Sequence, residues 1–361
     1  MKNLLTLKKY FVRYKTKLLW GIVFILISNA MTVYVPILLK DAIDELQRDT
    51  TTGILLKYAG LIIATSLIGG IFRYSIRQTI IVVSREIEYD LRGDFWSHIQ
   101  KLPLRYFQNN STGNIMSHAT NDINAIRSFI GPAVMYSIDT SIRLSIVVAI
   151  MMSMSFSLTI YALLPLPFLS YGVYRVGRLI HEKYVKIQEN FSQLTTRAQE
   201  NFSGIRVIKS YVREENEIKR WKELSKEFLR KNMNLVRLQA LISPILTVIT
   251  GISIIVVIWV GGGKVINGEM SLGEIAAFVA YLSILIWPVI AFGWVMNIIQ
   301  QAEASMKRLN KIFSEPYEID DSGKTDFSIK ELKGEIGFKN VSFRYSDNLP
   351  EVLKNINLKI P

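Results

Sequence analysis

The sequence predicts an all-α membrane protein: six transmembrane helices that extend into the cytoplasm as long helical hairpins, followed by a short β segment. Three observations predict it. Apolar stretches at residues 18–39, 55–77, 129–153, 158–176, 241–261 and 275–299 each come close to the about 20 residues that a helix needs to cross a hydrocarbon core. The links after the first, third and fifth stretches are brief, at 40–54, 154–157 and 262–274, whereas those after the second and fourth, at 78–128 and 177–240, are long and dense in charge. Most of the 43 Lys and Arg lie in the amino-terminal arm, the two long links and the tail beyond residue 299.

The arm, residues 1–17, carries Lys2, Lys8, Lys9, Arg13, Lys15 and Lys17, while the brief links and their flanks carry only Lys40, Arg48, Lys57 and Lys264. The positive-inside rule therefore puts both termini and both long links in the cytoplasm. That topology, with anionic headgroups at the inner face, explains a net charge of +13 without a nucleic-acid partner. The apolar run from Leu18 is too long for a signal peptide and lacks a small-x-small cleavage site, so it reads as a retained first span. The absence of Cys excludes disulfides and thiol chemistry, and the three His without an HExxH motif argue against a zinc site.

Beyond the second span, Val83, Ile87, Leu91 and Phe95 recur at helical spacing, so the helix is expected to run on into the cytoplasm. The pattern breaks at Pro103 and at residues 108–113, a turn cluster that closes the first hairpin. In the third span Asp139 and Arg143 lie one turn apart on one face. Intramembrane charges are costly, so the pair reads either as a mutual salt bridge or as part of a substrate cavity. Arg73 and Arg77 are also one turn apart, near the inner end of the second span, where snorkelling to headgroups is the expected use.

After the fourth span, Val173, Val176, Ile180, Tyr184, Ile187, Phe191 and Leu194 form a continuous helical seam, extended by Phe202, Ile205 and Ile208. A disordered charged loop would lack such a stripe. Arms of about 20 to 30 residues would reach roughly 30 to 45 Å. The second hairpin is expected to turn after Gly204, over residues 210–215, before Trp221 resumes an amphipathic run. The sixth span concentrates Phe278, Tyr281, Trp287, Phe292, Trp294 and Met296, which can either pack against neighbours or wall a site for apolar and cationic ligands. Pro165, Pro167, Pro244 and Pro288 are expected to kink the fourth, fifth and sixth helices. From residue 314 to 333 the composition is that of a linker, with Glu315, Pro316, Asp320, Asp321, Ser322 and Gly323. Residues 334–345 and 352–360 then read as two strands joined by a turn at Asp347, Asn348 and Pro350. An isolated hairpin is marginal in water, so residues 334–361 are expected to open a second domain that the chain does not complete.

Three segments carry a specific resemblance. The first runs from Tyr106-Phe107 through Ser111-Thr112-Gly113-Asn114 to Asn121-Asp122. The second is the run E-x3-G-x2-V-I-K-x-Y-x2-E from Glu200 through Gly204, Val207, Ile208, Lys209 and Tyr211 to Glu214. The third is Phe338-Lys339-Asn340-Val341-Ser342-Phe343-Arg344-Tyr345. With residues 270–274 before the sixth span and 301–308 after it, they resemble the half-transporters of the type I (type IV fold) ABC exporter family, which fixes the fold expectation as residues 18–313 for the transmembrane domain and 334–361 for the start of a truncated ABC ATPase domain.

That resemblance implies an ATP-driven translocase that moves amphipathic drugs, lipids or peptides out of the cytoplasm by alternating access. It implies ATP and Mg as cofactors of the intact protein, with Tyr345 stacking on adenine. None is expected to be bound by this chain alone, because no G-x4-G-K-[ST] occurs in it. Coupling to nucleotide-binding domains is implied for Ser111, Thr112, Gly113 and Asn114 at the first tip and for Ser210, Tyr211, Arg213 and Glu214 at the second. Candidate cavity residues are Asp139, Arg143, Tyr281, Trp287, Trp294 and Met296. The implied partners are a second half-transporter, the nucleotide-binding domains at the loop tips, the lipid bilayer and a small amphipathic substrate, in what reads as a bacterial plasma membrane. The competing class is an ATP-independent channel or a non-transporting receptor on the same scaffold, for which charge rings or a filter sequence would speak.

Overall fold

The computed structural model describes residues 3–47, 52–318, 328, 331, 334–345 and 349–361. It forms two units, Met1–Ile99 with Asn110–Ser314, and Gln100–Asn109 with Glu315–Pro361.

In the first unit the 3₁₀ turn Asn3–Leu7 and the short helix α1 (Lys8–Arg13) lead into α2 (Lys15–Leu46). Then α3 (Thr52–Ile76) continues through a π-turn, Arg77–Ile81, into α4 (Val82–Ile99), as the apolar spacing predicts. Beyond α5 (Leu104–Asn109), which belongs to the second unit, the chain returns as one long rod. The rod is α6 (Thr112–Ser117), a π-turn His118–Asp122, α7 (Ile123–Ser128), a π-turn Phe129–Ala133 and α8 (Val134–Met154). α4 and α7 form the first long hairpin, closed by Val83, Ile87, Leu91, Phe95, Ile123 and Ile126, all fully or nearly fully buried.

Among the described residues five helical runs are long and apolar enough to cross a membrane: Lys15–Leu46, Thr52–Ile99, Thr112–Met154, Glu214–Ile266 and Leu272–Phe313. The predicted fourth span is not one of them. Its apolar residues are shared between α9 (Phe156–Leu163) and the first turns of α10 (Pro165–Ser203), which soon becomes charged at Arg175 and Arg178. Pro165 has no N–H to continue the ladder and is well suited to the first position of a new helix, so it separates two helices where a kink was expected. Pro244 likewise falls in the first turn of its helix, where it costs no hydrogen bond, and Pro288 alone of these lies well inside one.

The second long hairpin consists of α10, the short α11 (Ile205–Ser210) and α12 (Glu214–Ala240). Its seam closes only in part. Ile187, Leu194 and Leu235 are buried and Phe191 meets Phe228 at 5.9 Å, but Tyr184, Phe202 and Ile205 of the predicted seam are exposed. A single antiparallel partner covers one side of a helix, and the wide apolar stripe of α10 outruns it.

α13 (Ile242–Ile266) and α14 (Leu272–Phe313) complete the unit, and α14 is the helix around which the core assembles. Ala277, Phe278, Tyr281, Leu282 and Leu285 pack against Val33, Val147, Met151, Leu158 and Val257. Lipid tails are as apolar as Leu, so close packing rather than escape from water holds such a core, and exposed Leu67, Ile71 and Trp259 on α3 and α13 suit a lipid surface. The start of α14 is fixed by a capping box: the Ser271 hydroxyl accepts from the Glu274 N–H at 3.1 Å and the Glu274 carboxylate accepts from the Ser271 N–H at 3.0 Å. Asp44 of α2 accepts from the Gly273 N–H at 2.8 Å, and a Cβ at Gly273 would come within 2.2 Å of the Lys40 carbonyl, so only glycine permits this approach.

The second unit holds α5 and a two-stranded antiparallel sheet, β1 (Ile336–Phe343) with β2 (Leu353–Ile360). Two bulges interrupt the register, and Asn340 and Asn355 adopt positive φ of 49° and 48°, which Asn tolerates. Of the predicted linker and turn, Asp320, Asp321, Ser322, Gly323, Asp347 and Asn348 lie outside the described residues.

Candidate functional site

A cavity of about 300 Å³ opens among α3, the π-turn Arg77–Ile81, α8 and α14 within the predicted bilayer depth, lined by Arg73, Ile76, Arg77, Met135, Tyr136, Asp139, Arg143 and Trp287. Asp139 and Arg143 form the expected pair, with Arg143 Nη2 donating to both carboxylate oxygens at 2.9 and 3.1 Å. Asn29 of α2 joins them: its Nδ2 donates to Asp139 Oδ1 at 3.0 Å and its Oδ1 accepts from Arg143 Nε at 2.9 Å. The pair thus makes the mutual salt bridge that was one of its two expected uses, and it also lines this cavity.

That closed triad leaves Arg73 and Arg77 as surplus cations. Arg73 donates to Thr32 Oγ1 at 3.3 Å, and among the described residues neither guanidinium meets a carboxylate. Both face this cavity where snorkelling to headgroups was expected. Helical spacing put them on one face but could not say that the face turns inward. Asn29 gave no signal in the sequence, being one uncharged residue in an apolar run.

Of the aromatic candidates, Trp287 lines the cavity and is half exposed. Trp294 stands behind Tyr136 in an edge-on contact at 5.5 Å, while Met296 is half-buried and does not line the cavity. Tyr281 is a correction. It is completely buried in the α14 core, where its hydroxyl donates to the Val33 carbonyl at 2.9 Å, so it braces α14 against α2 and does not reach the cavity.

At the first tip Ser111 is the extended residue before α6, and its hydroxyl accepts from the Asn114 N–H at 3.3 Å. The cap explains the S-T-G-N order: an oxygen at the cap satisfies an amide that the helix cannot. Ser111, Thr112, Gly113 and Asn114 are all exposed. At the second tip the short helix lies one step earlier than expected, at Ile205–Ser210. Gly204 breaks the ladder before it and Val212, at a φ of 50°, ends it, with the Arg213 N–H returning to the Ile208 carbonyl at 2.9 Å. Tyr211 and Arg213 form the turn and Glu214 opens α12. The tip exposes Phe202, Val207, Tyr211 and Val212 together. Tyr345, in the second unit, is exposed beyond β1 with its edge against Phe343 at 5.1 Å.

A further contact was missed although the sequence held a signal for it. Lys9, Arg13 and Lys17 step by four along the arm, and Asp94, Asp90 and Glu86 step by four along α4. They pair at 2.7, 3.0 and 2.5 Å. Tyr10 and Tyr14 donate to Asp94 and Asp90 at 2.6 and 3.0 Å. Burial, then the Asp94 carboxylate, raises the Tyr10 phenol well above its ordinary value, so it stays a donor.

The family described as ABC transporter transmembrane region matches residues 18–289. Among curated proteins, the chain is 30% identical over 98% of its length to the probable multidrug resistance ABC transporter ATP-binding/permease protein YheI of Bacillus subtilis, covering 60% of that protein. It is 31% identical over 98% of its length to a putative multidrug export ATP-binding/permease protein of Staphylococcus aureus, covering 63% of it. It is 30% identical over 94% of its length to an ATP-dependent lipid A-core flippase of Syntrophus aciditrophicus, covering 56% of it. The chain thus spans about three fifths of the length of the curated relatives it matches.

Proposed function

Because this chain belongs to the ABC transporter transmembrane family, as an exporter's membrane-spanning half, we propose that it carries amphipathic substrates out of the cytoplasm by alternating access, coupled to ATP binding and hydrolysis in nucleotide-binding domains. The cavity carries this reading. Three guanidiniums face one carboxylate, and Trp287 and Tyr136 supply apolar area beside them. Such a site favours a molecule with an anionic head and an apolar body, since Arg offers forked donors to phosphate or carboxylate.

The second hairpin supports the partner. Its exposed apolar tip and open seam suit a surface supplied by a second half-transporter and its nucleotide-binding domain, with both termini at the cytoplasmic face of a bacterial plasma membrane. The nucleotide chemistry belongs to the full-length product: in this chain Tyr345 offers a stacking face, and no phosphate loop motif is present. ATP can drive the cycle only by favouring one access state over the other, about 5.5 kcal/mol for a swing from 1:99 to 99:1.

The test is uptake of a fluorescent anionic amphiphile by inside-out vesicles that hold the full-length gene product. Uptake that requires Mg-ATP is expected. Uptake that persists at the same rate without ATP would support the channel reading instead.

A further inference from the structure

Two motif segments are not absorbed by the cavity or the tips: Asn121-Asp122 in the first hairpin, and residues 301–308 on α14. The structure brings them together. Asp122, the last residue of the π-turn His118–Asp122, is buried, yet it is charged and fully partnered. Its Oδ1 accepts from Ser305 Oγ at 2.8 Å and from Arg308 Nη2, and its Oδ2 accepts from Arg308 Nε at 3.0 Å. The His118 ring Nδ1 lies 2.6 Å from Oδ2. Ala302, Met306, Leu309, Ile123 and Ile126 are buried on the same stretches of α14 and α7.

Apolar packing is non-directional, so by itself it lets two helices slide past one another with little change in contact area. A forked Arg–carboxylate contact fixes register as well as distance. The placement gives that register a use. On one side a continuous helical rod runs from Asp122 back to the cap at Ser111. On the other, α14 runs unbroken from Arg308 to Trp287 on the cavity wall, about 30 Å at the helical rise. A π-turn at Asp122 is in keeping with a functional joint, since such turns recur at functional sites.

We propose that Asp122 is a positioning residue that pins the first long hairpin to α14, so that a displacement of the Ser111 tip is delivered to the cavity wall and not lost as slippage between the helices. The delivery rests on the transporter reading, whereas the pin does not.

These 361 residues contain no Cys, so two introduced ones can be labelled without background once any Cys in the rest of the full-length product is replaced by Ser. In the full-length product in lipid nanodiscs, diluted with unlabelled chain, Asn124→Cys on α7 and Lys307→Cys on α14 are spin-labelled and their distance distribution is measured by pulsed electron resonance. The parent is expected to give one narrow distribution with and without nucleotide. Asp122→Asn is expected to widen it at least twofold, and Arg308→Gln, at a more exposed position, to do the same should the first variant fail to fold. The double variant is expected to match either single one.

Basal ATP turnover is expected to stay within about twofold, while transport per ATP falls at least tenfold. An unchanged distribution in both single variants overturns the pin. A loss of turnover and transport in equal proportion, with a lowered melting temperature, reduces Asp122 to a packing role and overturns it as well. A product that neither hydrolyses ATP nor transports sinks the transporter reading alone, because the distance distributions still decide the pin.

Discussion

The two long hairpins are alike in sequence pattern and unlike in how far their seams close. Along α4 and α7 the seam positions Val83, Ile87, Leu91, Phe95, Ile123 and Ile126 are closed within the chain while Tyr89 and Trp96 of α4 stay exposed, Phe95 meets Phe313 edge-on at 6.3 Å, and the arm's cations answer the acids of α4 one by one. Along α10 and α12 one side of the seam closes, and Tyr184, Val185, Phe202, Val207 and Tyr211 remain exposed. The Asn190 amide is fully buried there with neither of its polar atoms bonded among the described residues. The difference teaches that the seam of the first hairpin is closed within the chain and packed on α14, whereas that of the second is left open as a surface that another chain can complete.

The largest effect that could break this comparison comes from matched truncations. Phe95→Ala should cost about 3 to 5 kcal/mol of stability, as loss of a buried aromatic does, and Phe202→Ala should stay within about 0.5 kcal/mol. Denaturant unfolding of both variants in detergent reads this, and equal losses would end the contrast. Next, Arg77→Ala should weaken binding of an anionic amphiphile about tenfold, near 1.4 kcal/mol, while leaving a neutral analogue unaffected. Fluorescence titration checks it, and a uniform loss for both ligands would mean that the cavity wall had collapsed.

A smaller effect of opposite sign is expected at Asn190. Replacing a buried amide without partners by an apolar group of similar shape, Asn190→Leu, should stabilise the protein by about 1 kcal/mol, visible as a raised melting temperature. The smallest effects belong to the arm. Each exposed pair of the ladder should contribute about 0.2 to 1 kcal/mol, so Lys17→Glu and Glu86→Lys should each destabilise slightly and the exchanged double variant should recover. The ladder should weaken with salt. It should also loosen in alkali: the Tyr10 phenol is raised in the folded state, so its contribution is complete below the ordinary value of 10.0 and is lost as pH climbs above it. Proteolysis of the arm followed against salt and pH reads both.

Much of the scaffold was legible because length, apolar spacing and charge asymmetry are properties of the chain itself. The continuation of α3 into α4, the break at Ser155, the tip at Ser111 and the Asp139–Arg143 pair all follow from local rules of period and capping. What was not legible depends on which way a face turns. Tyr281 and Trp287 both lie on α14, yet one is sealed against Val33 and the other lines a cavity, and no local property separates them. The same holds for Arg73 and Arg77. The fourth apolar run is not one continuous helix for a different reason, since Pro165 starts a new helix within it. The arm's ladder was visible in two matching series of four-residue steps, which were read as membrane charge because only one series was considered.

The proposal that the open seam of the second hairpin is covered by another chain, whereas that of the first is closed within its own, has one direct test. Tyr211→Cys and Asn124→Cys, each placed in a cysteine-free version of the full-length product, are reacted with a bulky maleimide, before and after the assembled transporter is dissociated into single chains. At Asn124 the labelling rate should be the same in both states, and at Tyr211 it should rise at least tenfold on dissociation. Equal rates at Tyr211 in the two states would contradict the claim.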